Sequence, residues 1–261
     1  MLSRLWPRAL RYPIERRQEK AKLAAIPGAV LDAHNLRAAL PDYASYAAEW
    51  SQVEGIQASV GLVDPAGGVN HGDRRLIYQI TRALAARSVL EVGTHVGAST
   101  LMLALAVARN GGTLTTVDIA DVNAEDGAWK RCGCRQNPRA ALQLAGVSAD
   151  FHQSDSVKWL AGDRNTYNLI FLDGLHEAQQ LYRELPLALA RLRPEGLILL
   201  HDVFPNFAPL WADGAVIPGP WMAIERYVQE AAPIRVQPLG ALPWPTKLGS
   251  TVTSLAAVLS A

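Results

Sequence analysis

The sequence predicts an α/β protein: a doubly wound sheet of five parallel strands, closed by a terminal antiparallel hairpin, with helices on both faces. Three observations predict it. Residues 88–92 read as a buried strand that stops at Gly93 and runs almost directly into the apolar helix 101–108. From Ser88 onward short apolar strands alternate with helical segments, the mark of a parallel sheet. Two apolar runs near the end, 234–239 and 251–259, are spaced as a hairpin.

Residues 1–70 read as a helical extension, broken at Pro27-Gly28, at Pro41 and at Asp64-Pro65-Ala66-Gly67-Gly68. Its start is rich in arginine (Arg4, Arg8, Arg11, Arg16, Arg17) but is interrupted by Glu15 and Glu19, which favours an exposed basic helix over a transit peptide. Tyr43, Tyr46 and Trp50 share one helical face, either packed on the main domain or serving as a lid or homo-oligomer contact. The main domain is expected over 71–261. It opens with a helix capped by Asp73 and running to about Arg87, with Leu76, Ile77, Ile80 and Leu84 on one face. Strands follow near 88–92, 113–117, 149–153, 167–172 and 196–201, with helices near 98–109, 138–146, 156–161, 177–192 and 220–231.

Composition excludes several classes. The 261 residues are 49% hydrophobic and 19% charged with a net charge of +1, so nothing global argues for nucleic acid. There is no apolar stretch of about 18 residues to span a membrane and no signal-peptide core. Cys132 and Cys134, spaced C-x-C, are too few for a zinc site and too close for an unstrained bridge. They read as reduced thiols, which points to a cytoplasmic protein.

The turn at 93–97 carries the first chemistry. A helix that starts on a glycine turn at a strand tip offers free amides to a ligand. A dinucleotide turn needs glycine at the second G-x-G position, where the pyrophosphate lies on the backbone. Here His95 stands there and the spacing is G-x-x-x-G. No G-K-[ST] follows, so a phosphate-binding P-loop is excluded. The next strand, after Gly111-Gly112, ends in Asp118, placed where a carboxylate accepts from two ribose hydroxyls.

The second constellation lies at two later strand ends. Tyr167-Asn168-Leu169-Ile170-Phe171-Leu172 leads into Asp173-Gly174-Leu175-His176, and Arg193-Pro194-Glu195-Gly196 precedes a strand ending in His201-Asp202. Adjacent strands lie about 4.8 Å apart. Asp173 and Asp202 therefore converge at the switch point of the sheet, where two close carboxylates share a proton or bind a cation. Asp202 as a plain strand-tip cap and His176 as a local packing residue are the competing readings.

Together E-x-G-x-x-x-G, Asp118, D-G-x-H, R-P-x-G and H-D resemble the class I S-adenosylmethionine (SAM) methyltransferases over roughly residues 73–260. The branch is that of the small-molecule O-methyltransferases acting on antibiotic sugars or catechol-type acceptors. The resemblance implies a Rossmann-like fold and SAM as cofactor. It implies that Gly93, Thr94, His95, Gly97 and Ser99 face the methionine part of SAM and that Glu91 helps hold its amino group. Asp118 and Ile119 would flank the ribose. Ser154, Asp155 and Ser156 would lie near the adenine, Asp155 alternatively capping the helix that follows. Asp173 and Asp202 match positions that ligate magnesium, and His176 matches a general base. Relatives often carry Glu before the second Asp or Asn after it. This chain has His201 and Val203 there, so the third ligand is open, with His201 a candidate.

The expected function is methyl transfer to a hydroxyl of a small molecule. The site after the fourth strand lacks the [DN]-P-P-[YF] of enzymes that methylate amino groups in nucleic acid and glutamine. An NAD-dependent oxidoreductase and a non-catalytic SAM-binding protein are the alternatives. Phe204, Phe207, Trp211 and Trp221 are expected to wall the acceptor.

Overall fold

The computed structural model describes residues 8–61 and 68–261, with side chains from residue 16 onward. Arg4 and the break at Asp64-Pro65-Ala66-Gly67 lie outside the described residues, as do the side chains of Arg8, Arg11 and Glu15. Seven strands among the described residues form one sheet: β1 (Ser88–Val92), β2 (Thr113–Asp118), β3 (Asp150–Gln153), β4 (Tyr167–Leu172), β5 (Leu192–Leu200), β6 (Ile234–Pro238) and β7 (Ala256–Ser260). Their order is β3-β2-β1-β4-β5-β7-β6. The first five are parallel, and β7 runs antiparallel to both β5 and β6, so the expected hairpin closes the sheet. Because β1 pairs with both β2 and β4, winding reverses at β1 and leaves a crevice above its tip.

Alternation along the strands builds two cores. Val89, Leu169, Phe171, Leu197 and Leu199 pack against α2 (Trp50–Ser59), α3 (His71–Ala83), α4 (Ala98–Arg109) and α6 (Pro138–Leu144). Leu90, Val92, Ile170, Leu172, Ile198 and Leu200 face α1 (Arg8–Ala24), α7 (Ser156–Gly162), α8 (Ala178–Leu189) and α9 (Pro218–Gln229). A short α5 (Ala128–Arg131) lies in the connection after β2. Helix α4 is buried along almost its whole length, which its continuous apolar sequence requires. Helix α6 starts on the Asn137 cap with proline in its first turn.

The N-terminal extension serves both faces of the sheet. Leu23 of α1 joins the core beneath α8 and α9. The chain then passes under the sheet, where Asn35 O accepts from Gly196 N (3.0 Å) and Arg37 N donates to Gly196 O (3.1 Å). It ends in a 3-10 turn (Tyr43–Glu49) and α2 on the opposite face. Trp50 is buried there beside His71 and Tyr78, and Tyr46 lies under the Arg82 guanidinium, so this aromatic face packs on the main domain. Glu49 fixes the contact. Hydrogen bonds from Arg82 hold its carboxyl down at about 2 against the opposing effect of burial, with Tyr78 and Arg109 adding to them.

Several expectations need correction. The cap of α3 is Asn70, whose side chain accepts from Asp73 N (3.0 Å); Asp73 sits inside the first turn and is fully buried. The helix ends at Ala83, not Arg87, because Ala85 takes a left-handed conformation and turns the chain into β1. Strand β5 starts at Leu192. Pairing runs from Tyr167↔Leu192 to Leu169↔Leu197, so a bulge absorbs the intervening Arg193-Pro194-Glu195. Only Ala256–Ser260 of the last apolar run is strand; Val252 makes an isolated bridge to Ala241.

One feature of this core titrates. Glu91 on β1 points toward α4 and is fully buried, and its carboxyl accepts from the hydroxyls of Ser99, Thr100 and Thr116, each at 2.6 Å. Burial nevertheless pushes its pKa up to about 7, and does the same to Glu184 on α8. Between about pH 4.5 and 7 the folded chain therefore holds more protons than the unfolded chain, so stability falls as pH rises through that window. Each group contributes on the order of 3 kcal/mol. Urea unfolding at pH 5 and pH 8 should show the loss, and Glu91→Gln should remove about half of it. A wild-type protein equally stable at both values would mean that the hydroxyl donors keep Glu91 ionised.

Candidate active site

A cleft of about 950 Å³ opens above the C-terminal tips of β1, β2, β4 and β5. On the β1–β2 side its geometry is set by backbone. Gly93 has φ 96°, and a Cβ there would stand 2.1 Å from Asp173 O, so only glycine lets the β1 and β4 tips meet. His95 takes φ 47° and donates its N–H to Asp118 Oδ2 (2.9 Å), while Ala120 N donates to Asp118 Oδ1 (2.9 Å). The carboxylate at the β2 tip is thus oriented by two amides, with its remaining lone pairs open to the cleft. Ile119 beside it is exposed.

On the β3 side Ser154, Asp155 and Ser156 line the cleft. Asp155 caps α7, accepting from Lys158 N at 2.9 Å. Ser156 Oγ donates to Glu184, which also accepts from Gln180 Nε2 (2.9 Å). Of the residues expected to face the ligand, Gly93, His95, Asp118, Ile119, Ser154, Asp155, Ser156 and Asp173 line the cleft. Glu91, Thr94, Gly97 and Ser99 do not. Strand alternation turns Glu91 under the turn, where Ser99 bonds to it, and the Thr94 hydroxyl pairs with Thr116 (2.6 Å). Any influence of Glu91 on a ligand runs through the turn it supports.

The β4–β5 side brings five titratable groups together. His201 Nδ1 lies 3.0 Å from Asp173 Oδ1 and 3.4 Å from Asp202 Oδ1, and its Nε2 lies 3.3 Å from Asp73 Oδ2. His176 Nε2 lies 3.4 Å from the other Asp202 oxygen, with 40% of its side chain exposed to the cleft. Burial disfavours a charge on His201. The carboxylates of Asp173 and Asp202, with the Asp73 contact behind the ring, outweigh it and hold the imidazole pKa well above its usual value. Asp202 has φ 54°, a sparsely populated conformation that aims its carboxylate back at both histidines.

Asp173, His201 and Asp202 each offer one ligand atom within 4.8 Å of the others. Their chemistry fits a divalent cation. His201 Nδ1 is buried beside two carboxylates without an aligned hydrogen bond, and Asp73 behind Nε2 is the kind of partner that fixes a metal-ligating tautomer. Asp73 was missed as a site residue by sequence reasoning. It lies 128 positions from His201 and looks like an ordinary helix cap.

Phe204 and Trp211, edge to face at 5.4 Å, line the remaining wall with Ala215 and Ile217. Phe207 and Trp221 do not. Phe207 packs under Arg16, and Trp221 bonds to Glu225. Lys247 at the rim sits over Trp211 and pairs with Asp213 (3.2 Å). Cys132 and Cys134 are both free thiols away from the cleft.

Comparison with known proteins bears on the fold. Residues 90–203 match the sequence family described as a methyltransferase domain. The fold is similar to that of cofactor-bound Rv0187 from MTB (TM-score 0.56, 17% identical, covering 86% of this chain and 98% of that one). It is also similar to an O-methyltransferase from Bacillus cereus in complex with SAH (0.54, 19%, 82% and 91%). A third neighbour is the O-methyltransferase TomG from Streptomyces achromogenes, involved in tomaymycin synthesis, in complex with SAM (0.54, 17%, 80% and 88%). Among curated sequences, a ribosomal RNA large subunit methyltransferase K/L of Pseudomonas putida is 29% identical over 168 residues, 59% of this chain. The chain spans about a fifth of the length of the curated relatives it matches.

The fold is therefore the Rossmann-like α/β fold shared with these O-methyltransferase structures. Within it, residues 90–203 match the methyltransferase-domain family, and the glycine turn, Asp118 and Asp173 fall inside the matched segment.

Gly93→Ala tests the contact on which the cleft is built. It should destabilise the protein by about 1–3 kcal/mol through the strained φ alone, and separation of the strand tips should weaken SAM binding more than tenfold. Urea melts with calorimetry check both. Unchanged stability would show that the two tips move apart freely.

Proposed function

We propose that this protein is a SAM-dependent O-methyltransferase acting on a hydroxyl of a small molecule. The observation that carries the reading is the convergence, in one cleft, of an amide-oriented Asp118 with the His176–Asp202–His201–Asp173 cluster and an aromatic wall. Asp118 accepts from the ribose hydroxyls, Ile119 offers the adenine an apolar face, and Ser154 offers it a hydroxyl. Bound SAM supplies a methyl group on a positively charged sulfur, a good leaving group. The chain must then align an acceptor oxygen with that methyl and remove its proton. His176 takes the proton, and Asp202 stabilises the imidazolium that forms, as a carboxylate behind a catalytic histidine does. Phe204 and Trp211 hold the acceptor and exclude water.

Asp173, Asp202 and His201 would hold a divalent cation, which supplies Lewis-acid polarisation of the acceptor hydroxyl. A ring nitrogen among the donors suits a first-row transition ion at least as well as magnesium. Residues 71–261 carry the chemistry, with 1–70 as support. Two unpaired cysteines fit a cytoplasmic setting.

An RNA acceptor is the second reading, favoured by the Pseudomonas putida relative. A net charge of +1 and an aromatic wall without interleaved arginines argue for the small molecule. NAD is disfavoured by His95, whose backbone N–H is committed to Asp118.

Calorimetric titration with SAM and with NAD should give binding to SAM alone, and Asp118→Ala should weaken it by roughly 1–3 kcal/mol. Methyl transfer from labelled SAM should then appear on a panel of catechols and hydroxylated sugars and be absent on RNA. His176→Ala should lower turnover by about 10²–10⁴ with SAM affinity nearly intact. Chelator should abolish turnover, with recovery on adding manganese or magnesium. Transfer to RNA alone would overturn the small-molecule reading, and full activity in chelator would remove the cation from it.

A further inference from the structure

The catalytic loop 173–177 is gripped from two sides by elements outside the strand–turn–helix core. Helix α8 begins at Ala178, and its own N-cap residue, Glu177, makes no side-chain capping bond. The missing acceptor comes from 159 residues upstream. Glu19 Oε2 of α1 accepts from Ala178 N at 2.9 Å. The Glu19 side chain is only 14% exposed, and Lys22 ties it sideways, lying 3.3 Å from Glu19 Oε1 and 3.5 Å from Glu177 Oε2. A carboxylate on a helix N-terminal amide is a charge-assisted bond, stronger than a neutral cap. From the other side, the first turn of α9 presses Gly219 onto the same backbone. A Cβ there would stand 2.0 Å from His176 O and 2.7 Å from Ala178 N. The peptide that carries His176 is therefore held between a carboxylate and a glycine.

The same helix reaches the second catalytic loop. The Arg16 guanidinium lies 3.6 Å from the centre of the Phe207 ring, five residues after Asp202. At its far end α1 is locked to α9, where Arg226 Nη2 donates to Ile26 O (2.6 Å) and Nη1 donates to Leu23 O.

We propose that α1 is a brace for the active site and that Glu19 is a positioning residue, setting the orientation of His176 through the N-terminus of α8. The consequence for turnover rests on the reading of His176 as the base; the orientation itself does not. With Glu19 gone, the amide of the buried Ala178 has no acceptor, and the loop gains freedom at the residue whose ring must meet the acceptor proton.

The experiment uses the full chain and two readouts. The first is NMR of the histidine rings, with the His176 signal assigned from His176→Ala. Glu19→Ala should shift or broaden the His176 ring signal and leave that of His34 unchanged, and Glu19→Gln, which keeps an acceptor oxygen, should restore it. The second is a double-mutant cycle in methyl transfer to the best acceptor of the small-molecule panel. Glu19→Ala should lower kcat about tenfold with His176 present and less than about twofold in the His176→Ala background, because residues acting through one another are not additive. Affinity for S-adenosylhomocysteine should stay constant throughout. Gly219→Ala, which pushes on the same peptide from the other side, should reproduce both effects if it folds. An unchanged His176 ring signal in Glu19→Ala overturns the proposal, as does an equal loss of kcat in both backgrounds. If His176→Ala proves fully active, the base assignment fails instead, and the ring signal alone decides whether Glu19 positions the loop.

Discussion

The contact between the tips of β1 and β4 governs the rest of the site. Gly93 leaves no room between its α-carbon and the carbonyl of Asp173, and two backbone bonds lock the arrangement: Asp173 N to Val92 O at 2.9 Å and Gly93 N to Val117 O at 2.8 Å. Three strand tips are thereby held in register at the point where winding reverses. The turn that follows Gly93 can then direct the amide of His95 onto Asp118, and the residue that follows β4 can direct its carboxylate toward β5. A side chain at position 93 would separate the two halves of the cleft, one around Asp118 and one around the His201 cluster.

Charge is the second constraint. Asp73, Asp173 and Asp202 surround His201 with little access to solvent, and three buried carboxylates without a cation would repel one another strongly. The cluster therefore demands positive charge at its centre. A proton on His201 supplies it, and a divalent ion held by the same atoms would compete with that proton for one place. His176 stands just outside this balance, touching only the far oxygen of Asp202 and open to the cleft. That separation gives the two histidines different surroundings. One lies inside the cluster, and the other faces the cleft at its edge.

What could be read from the sequence was what local pattern controls. The strand at 88–92, the glycine turn, the helix after it and Asp118 form one uninterrupted unit whose periodicity changes from two to 3.6 within a few residues. The Asp173–His176 and His201–Asp202 tips were legible for the same reason, each marking the end of an apolar strand. The start of β5 was not, since Pro194 and its charged neighbours read as a turn and are accommodated by a bulge that only pairing with β4 defines. Asp73 and Glu19 escaped entirely. Each acts on a residue more than a hundred positions away, one through a buried carboxylate and one through a backbone amide, and neither contact leaves a periodic trace. Glu91 was legible as an element of the turn motif but not as its support, because its partners are hydroxyls on α4 and β2 that become neighbours only on folding.

The two halves of the cleft are made in different ways, and the difference bears on what can vary. The half around Asp118 rests on backbone amides and strand tips whose positions follow from the sheet itself. The other half is walled by Phe204, Trp211 and Ile217 from the connection after β5 and by Thr246 and Lys247 from the stretch before β7, segments whose side chains can change without disturbing a strand pairing. Between them stand the loops carrying His176 and Asp202, which belong to neither arrangement and, if His176 is the proposed base, must stay fixed whatever the wall admits. A helix braced against both loops from outside the sheet meets that requirement. It holds the two loops from behind, away from the cleft, and leaves the wall free to vary.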